Sequence, residues 1–201
     1  MTYPRMCPVH LHVAAHAGDD EGARLSAVAL ADFSHLPKCG LKGPDAMQWL
    51  RDHGIEPPAQ ANCWLPLASG GVVARLGRSE FFIEDGTGGS VVSDIRTALG
   101  NGASGVYPVI RQDAGIALTG SRVNDLLLQT CNVNFAALET DARVAVMTQM
   151  IGVSVLAIRV ADEPLPRYRI WCDPTFAPYF WETLDEIAME LGGGVMNAAS
   201  G

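Results

Sequence analysis

The stretch "CPVHLHVAAH" places one thiol and three imidazoles, Cys7, His10, His12 and His16, in a single short run. Thiolate and neutral imidazole are good zinc ligands. The spacing C-x2-H-x-H-x3-H is none of the closed zinc patterns, so a metal site is the secondary reading, with Cys7 and His10 as its first candidates. Ser34-His35 sets a nucleophile beside a base. Neighbours along a strand point to opposite faces, and no G-x-S-x-G elbow occurs in the chain. The expectation is a turn serine and a partly buried histidine. "DGTGGS" (residues 85–90) is glycine-rich but lacks G-x-G-x-x-G and follows a hairpin strand. It reads as a loop into the next helix, not as a dinucleotide cradle. Arg75, Arg111, Arg167 and Arg169 border apolar strands. Guanidinium groups there fit carboxylate contacts across an interface, or equally the solvated edge of a sheet.

Bulk composition narrows these options. The chain has 201 residues, 48% hydrophobic and 18% charged, with a formal net charge of −8. That is the composition of a packed globular protein. A nucleic-acid footprint needs the opposite charge balance, and no Lys/Arg cluster suits anionic lipid. The longest apolar runs are strand-sized, and the N-terminus does not read as a secretory signal. The five cysteines include no C-x-x-C. They read as free thiols of a reducing compartment, the cytoplasm by default. Low surface charge on a hydrophobic chain points to some surface being covered by a partner.

The elements that must position any site follow a repeated frame. "LKGPDAMQWL" (41–50) and "LTGSRVNDLL" (118–127) share Leu-x-Gly-[Pro/Ser]-x-[Ala/Val]-x-x-[Trp/Leu]-Leu at a constant offset of 77. Around the first, strand material is broken by a Ser/Pro turn, and Pro44 suits the first turn of a helix that Gly54 ends. A hairpin follows, Val72–Leu76 and Phe81–Glu84, and then the helix "SVVSDIRTALG". Around the second lie the strands of "VYPVIRQDAGIALTG", a helix, the buried-type strand "IGVSVLAIRV", its partner "RYRIWC", and a last helix. Asp173 is expected to cap that helix with Pro174 at its first position, and Phe176, Phe180, Leu184, Ile187 and Leu191 to form its inward stripe. Trp181 and Tyr179 lie round from the stripe. They are candidates, with Arg75 and Arg111, for an interface. Each copy reads strand–helix–strand–strand–helix, roughly the ferredoxin-like order. The expected fold class is α+β: two βαββα halves, 25–100 and 105–194, related by a pseudo-two-fold axis in one domain (25–194), with an arm (1–24) and a tail (195–201).

"ADFSHLPKCGLKGPDAMQWL" and "GGVVARLGRSEFFIEDG" resemble the folate-binding fold of aminomethyltransferases, the T-protein of glycine cleavage. The longer stretches "SHLPKCGLKGPDAMQWL", "WLPLASGGVVARLGRSEFFIEDG", "VYPVIRQDAGIALTGSRVNDLLLQTCNVNF" and "RYRIWCDPTFAPYFWETLDEIAMELGGG" are similar to one offshoot, the gamma subunit of heterotetrameric sarcosine oxidase. Together they cover nearly everything from about residue 25 to 194. The resemblance implies the same α+β fold. It also implies a non-catalytic gamma-type subunit of a flavin-dependent oxidoreductase complex of one-carbon metabolism, which oxidatively demethylates sarcosine to glycine. FAD, FMN, NAD and tetrahydrofolate are then carried by the larger flavoprotein subunits, and none by this chain.

The departures from the transferase pattern bear on chemistry. The transferase has an acidic pair after the Gly-Gly of its hairpin; here Gly70-Gly71 is followed by Val72, Val73, Ala74 and Arg75. Its Gly-Glu-x-Gly loop corresponds to "VADEPLPRYRI", which keeps Glu163 without the glycines. A pterin ring needs a carboxylate to receive its N–H donors. Fold retained and site lost is the expectation. The alternatives are a stand-alone folate-dependent aminomethyltransferase-like enzyme, with Asp113, Asp32 or Glu84 supplying the acid, and a folate-binding protein without turnover.

Overall fold

Gly43 and Gly120, the shared glycines of the repeated frame, both adopt backbone that L side chains avoid, at φ +138° and +131°. Sterics add a second demand. A Cβ on Gly43 would stand 2.1 Å from the carbonyl oxygen of Gly105, and one on Gly120 would stand 2.2 Å from that of Ala27. The same two carbonyls accept the N–H groups of Asp45 (3.2 Å) and Arg122 (2.9 Å), two residues past each glycine. Each strand therefore turns into a helix while pressed against an incoming chain segment. Ala46 and Val123 donate to the glycine carbonyls as the helices begin. The frame's apolar positions Leu41 and Leu118, Ala46 and Val123, Leu50 and Leu127 are all buried.

The computed structural model describes residues 26–161 and 165–196. Cys7, His10, His12, His16 and Glu163 lie outside them. The described chain is α+β, with two sheets. One sheet, in order, joins β3 (Cys63–Pro66), β4 (Val72–Arg75), β5 (Glu80–Glu84), β2 (Lys38–Lys42) and β6 (Tyr107–Val109). All its pairings are antiparallel. Helices α1 (Ala46–Asp52) and α2 (Val91–Gly100) bury Leu50, Val92 and Ile95 with Leu41, Val73, Phe81 and Ile83 of the strands. The other sheet runs β8 (Ala145–Met150), β9 (Val153–Ala161), β10 (Arg167–Cys172), β7 (Ala114–Thr119), β1 (Ala29–Asp32) and β11 (Gly194–Val195). Its helices α3 (Val123–Thr130) and α4 (Ala177–Glu190) pack Leu126, Leu127, Phe180 and Leu184 with Ile116, Leu118, Tyr168 and Ile170.

Element by element, β2–α1–β4–β5–α2 and β7–α3–β9–β10–α4 follow one order, and each central strand has a further neighbour, β6 beside β2 and β1 beside β7. The described residues form two interleaved units, 26–35 with 113–141, 146–161 and 165–196, and 36–112 with 142–145. The expected division near residues 100–105 is thus crossed twice. β1 precedes the first copy yet pairs with β7 of the second, and β6 precedes the second copy yet pairs with β2 of the first.

The last helix corrects three expectations. It begins at Ala177, not Pro174, because Asp173 closes a tight turn of its own: its Oδ1 accepts both the N–H (2.8 Å) and the hydroxyl (2.6 Å) of Thr175. Phe176 therefore sits at the helix boundary and is half exposed instead of joining the inward stripe. Trp181 is 3% exposed and belongs to the core with Phe180, Leu184 and Ala188, so the buried face is broader than the stripe. Strands β3 and β8 were not expected; β3 is a short edge strand that ends in Pro66.

The two glycines should be equally intolerant of a side chain. Gly43→Ala and Gly120→Ala are each expected to cost about 2–4 kcal/mol in urea unfolding. Gly54→Ala should cost about 1 kcal/mol, because Gly54 has positive φ but open space around its Cα. Equal small losses at all three would show that the carbonyl contacts do not constrain the fold.

Candidate functional site

Strand β4 is the place where the transferase pattern expects acids. Here Val72, Val73 and Ala74 are buried, and Arg75 alone is polar. Its guanidinium is spent locally: Nε donates to the Gly77 carbonyl (3.1 Å), Nη2 to that of Arg78 (2.8 Å) and Nη1 to that of Ala59. Arg75 thus ties the β4–β5 turn to the connector before β3.

Of the three acids considered for a relocated site, Glu84 is fully buried and engaged. Its Oε2 lies 3.1 Å from Nζ of Lys38, directly across the β2–β5 pairing, and that ammonium also donates to the Leu36 carbonyl at 2.9 Å. Both side chains have no exposure. A buried ion pair of this kind holds register, because either charge left alone in the interior is costly. Asp32 accepts the N–H of Ser34 at 2.8 Å, shaping the turn after β1. Ser34 is buried with its Oγ accepting the Gly115 N–H at 2.9 Å, and His35 beside it is exposed, against the expected partial burial. His35 sits in the turn between buried Ser34 and buried Leu36, with its imidazole in solvent. Asp113 is half-buried just ahead of β7.

The glycine-rich loop 85–90 leads into α2 as expected, and its own acid fills the helix terminus. Buried Asp85 accepts the Val91 N–H on Oδ1 (3.1 Å) and the Val92 N–H on Oδ2 (3.0 Å). A phosphate would need those donors and that space. A Cβ would come within 3 Å of the Glu84–Gly86 backbone at Gly71, of the Ser69–Gly70 backbone at Gly86 and of the Asp85 carboxylate at Gly89.

A cleft of about 450 Å³ opens in this same unit where β6 leaves β2. Ile95 and Leu99 of α2, and Pro108, Val109 and Ile110 of the β6 segment, form its apolar wall; Lys38, Arg96 and Arg111 are its charged lining. Arg111 pairs with Glu80 at 3.0 Å and lies over the Phe82 ring. Arg96 donates from Nη2 to the Lys38 carbonyl at 2.8 Å. Cys39, also in the wall, is held as a thiol: burial pushes its pKa up to about 12, and the nearby Arg96 only partly offsets this. The cleft therefore offers neither a carboxylate for a pterin nor a thiolate nucleophile. Burial raises Cys172 to about 12 in the same way, and the described cysteines 39, 63, 131 and 172 are all free thiols. Of the interface candidates, Arg111 lines the cleft, and Tyr179 is half exposed with its hydroxyl donating to the Ile151 carbonyl at 3.3 Å. Trp181, inside the core, is not a surface residue. The cleft was missed in sequence because it arises from where a strand stops.

No protein-family model matches the chain, and no curated protein matches it. Solved structures do. A chain of the heterotetrameric sarcosine oxidase from Corynebacterium sp. U-96, in complex with pyrrole 2-carboxylate, is similar over 96% of this chain and 99% of its own length, with a TM-score of 0.71 at 18% identity. The glycine cleavage system aminomethyltransferase T from Bartonella henselae is similar over 79% of this chain, with a TM-score of 0.60 at 16% identity. This chain spans only 45% of that transferase. At such identities the likeness shows a common fold. Among the described residues, no helix is long and apolar enough to cross a membrane.

The buried pair is open to test. Lys38→Met alone should destabilise the protein by about 3–5 kcal/mol, since the Glu84 carboxylate stays buried. Adding Glu84→Met should recover most of that loss. Chemical denaturation of the two variants decides it: a double variant no more stable than the single one would mean that the pair is not what these residues contribute.

Proposed function

We propose that this chain is a non-catalytic, gamma-type subunit of a heterotetrameric, flavin-dependent sarcosine oxidase, supporting assembly of the complex that converts sarcosine to glycine. The observation that carries the reading is mutual coverage. The likeness takes in 96% of this chain and 99% of a sarcosine oxidase chain, whereas the transferase is more than twice as long as the region it shares. A chain matched end to end with a component of an assembly suits the role of a component.

The interior supports a structural role. β4 carries no acid at the position where the transferase pattern has a pair, Glu84 is committed to Lys38, and no carboxylate lines the cleft. On this reading FAD, FMN, NAD and tetrahydrofolate reside in the larger subunits, and the complex is cytoplasmic. The chain carries two ferredoxin-like halves, each built on the repeated frame. The matching strand orders and the paired glycine contacts favour that arrangement. The likeness to aminomethyltransferase T favours a second reading, a folate-binding protein or a small folate-dependent aminomethyltransferase-like enzyme in its own right.

One preparation separates the two readings. The isolated chain should be colourless, should fail to reduce a dye in the presence of sarcosine, and should give no heat on titration with tetrahydrofolate. Saturable tetrahydrofolate binding to the chain alone would favour the second reading; flavin colour or sarcosine-dependent dye reduction would remove the first.

A further inference from the structure

The cleft beside β6 is best understood by comparing equivalent places in the two units. In the sheet that contains β7, the segment after β1 keeps pairing: the Phe33 N–H donates to the Gly115 carbonyl at 2.9 Å, and Phe33 is buried. Gly115 stands 77 residues after Lys38 and occupies the corresponding place on its central strand. In the sheet that contains β2, pairing with β6 stops at Gly40–Val109. The Lys38 carbonyl then accepts the Arg96 guanidinium, at 2.8 Å, in place of a strand N–H. The chain swings away, and Ile110 ends up 85% exposed, with Tyr107 at 57%. In the other unit Phe33 and its ring lie at the corresponding place, against Gly115; here the β6 segment has left β2 and the cleft is open.

The charges at the cleft are not equivalent. Lys38 is matched by Glu84 and Arg111 by Glu80. Arg96 is exposed and has a backbone carbonyl, not a carboxylate, as its hydrogen-bond partner, and no carboxylate lines the cleft. In a chain of net charge −8, this is a local site for a negative group, next to an apolar wall.

We propose that the cleft is the docking site for an extended segment of the larger flavoprotein subunit. That segment places an Asp or Glu carboxylate on Arg96 and apolar side chains against Leu99 and Ile110. The inference rests on the subunit reading above and adds where the partner sits and what chemistry it presents. An extended segment is chosen because the cleft borders the point where β2 loses its strand partner, the situation in which added strands bind. The acid is chosen because a guanidinium takes a carboxylate in a geometrically defined way.

The test uses the full chain, tagged and coexpressed with the flavoprotein subunits of a sarcosine oxidase from the same organism. Arg96→Glu and Ile110→Asp are compared with the unaltered chain after circular dichroism shows each to be folded; both positions are exposed, so folding should persist. Each is expected to weaken capture of the flavoprotein about tenfold, and the pair about a hundredfold. Arg96→Lys, which keeps the charge, should retain more binding than Arg96→Glu. If the unaltered chain captures the flavoprotein and the variants capture it equally well, the docking site lies elsewhere while the subunit reading stands. If the unaltered chain captures none, the subunit reading fails and takes this inference with it. Sedimentation of the chain alone completes the test: a dimer that Ile110→Asp converts to monomer would make a second copy the occupant and overturn the proposal.

Discussion

A carbonyl oxygen pressed against a bare Cα is the contact on which this fold turns. At the repeated frame it is made by Gly105 against Gly43 and by Ala27 against Gly120. Each contact closes a strand-to-helix turn and brings in the strand that follows the carbonyl, β6 in one case and β1 in the other. Because those carbonyls also accept the first N–H groups of the helical turns, one atom ends the strand, starts the helix and fixes the neighbouring strand. A side chain at either glycine would disturb all three. The interleaving of the two units along the chain follows from this, since each leading strand is held by the other copy's glycine.

The units hold their buried polar groups in fixed pairings. Here the buried acids are committed: Glu84 to an ammonium across the sheet, Asp85 to two backbone N–H groups at a helix start. The buried thiols Cys39 and Cys172 are pushed toward the neutral form. Such groups specify register and loop shape. The cleft at the end of β6 gathers an apolar wall and an exposed cation.

Much of this was legible in the residues. Period and turn chemistry located the hairpin β4–β5, the helices α1 to α3 and the strands β9 and β10, and the repeated Leu-x-Gly frame marked the two turns that matter most. Strand β8 was missed although its burial alternates, because Met147 and Gln149 are weak strand signals at an edge. The exchange of β1 and β6 was not legible, since periodicity names an element and not its partner. Trp181 was misplaced because a helix with aromatics on neighbouring positions has no unique inward face until its neighbours are known. The acid-free β4, by contrast, could be read directly, because the relevant signal was residue type and not geometry.

The proposed role makes this chain a component of a larger flavoprotein. Native mass spectrometry of the tagged chain, isolated from cells that express it at natural levels, measures that directly. The account predicts a yellow assembly in which this chain accompanies larger subunits in fixed stoichiometry and dissociates as an apoprotein of 21.4 kDa. A monodisperse chain without partners, or one that leaves the complex with a flavin or a folate still bound, would contradict it.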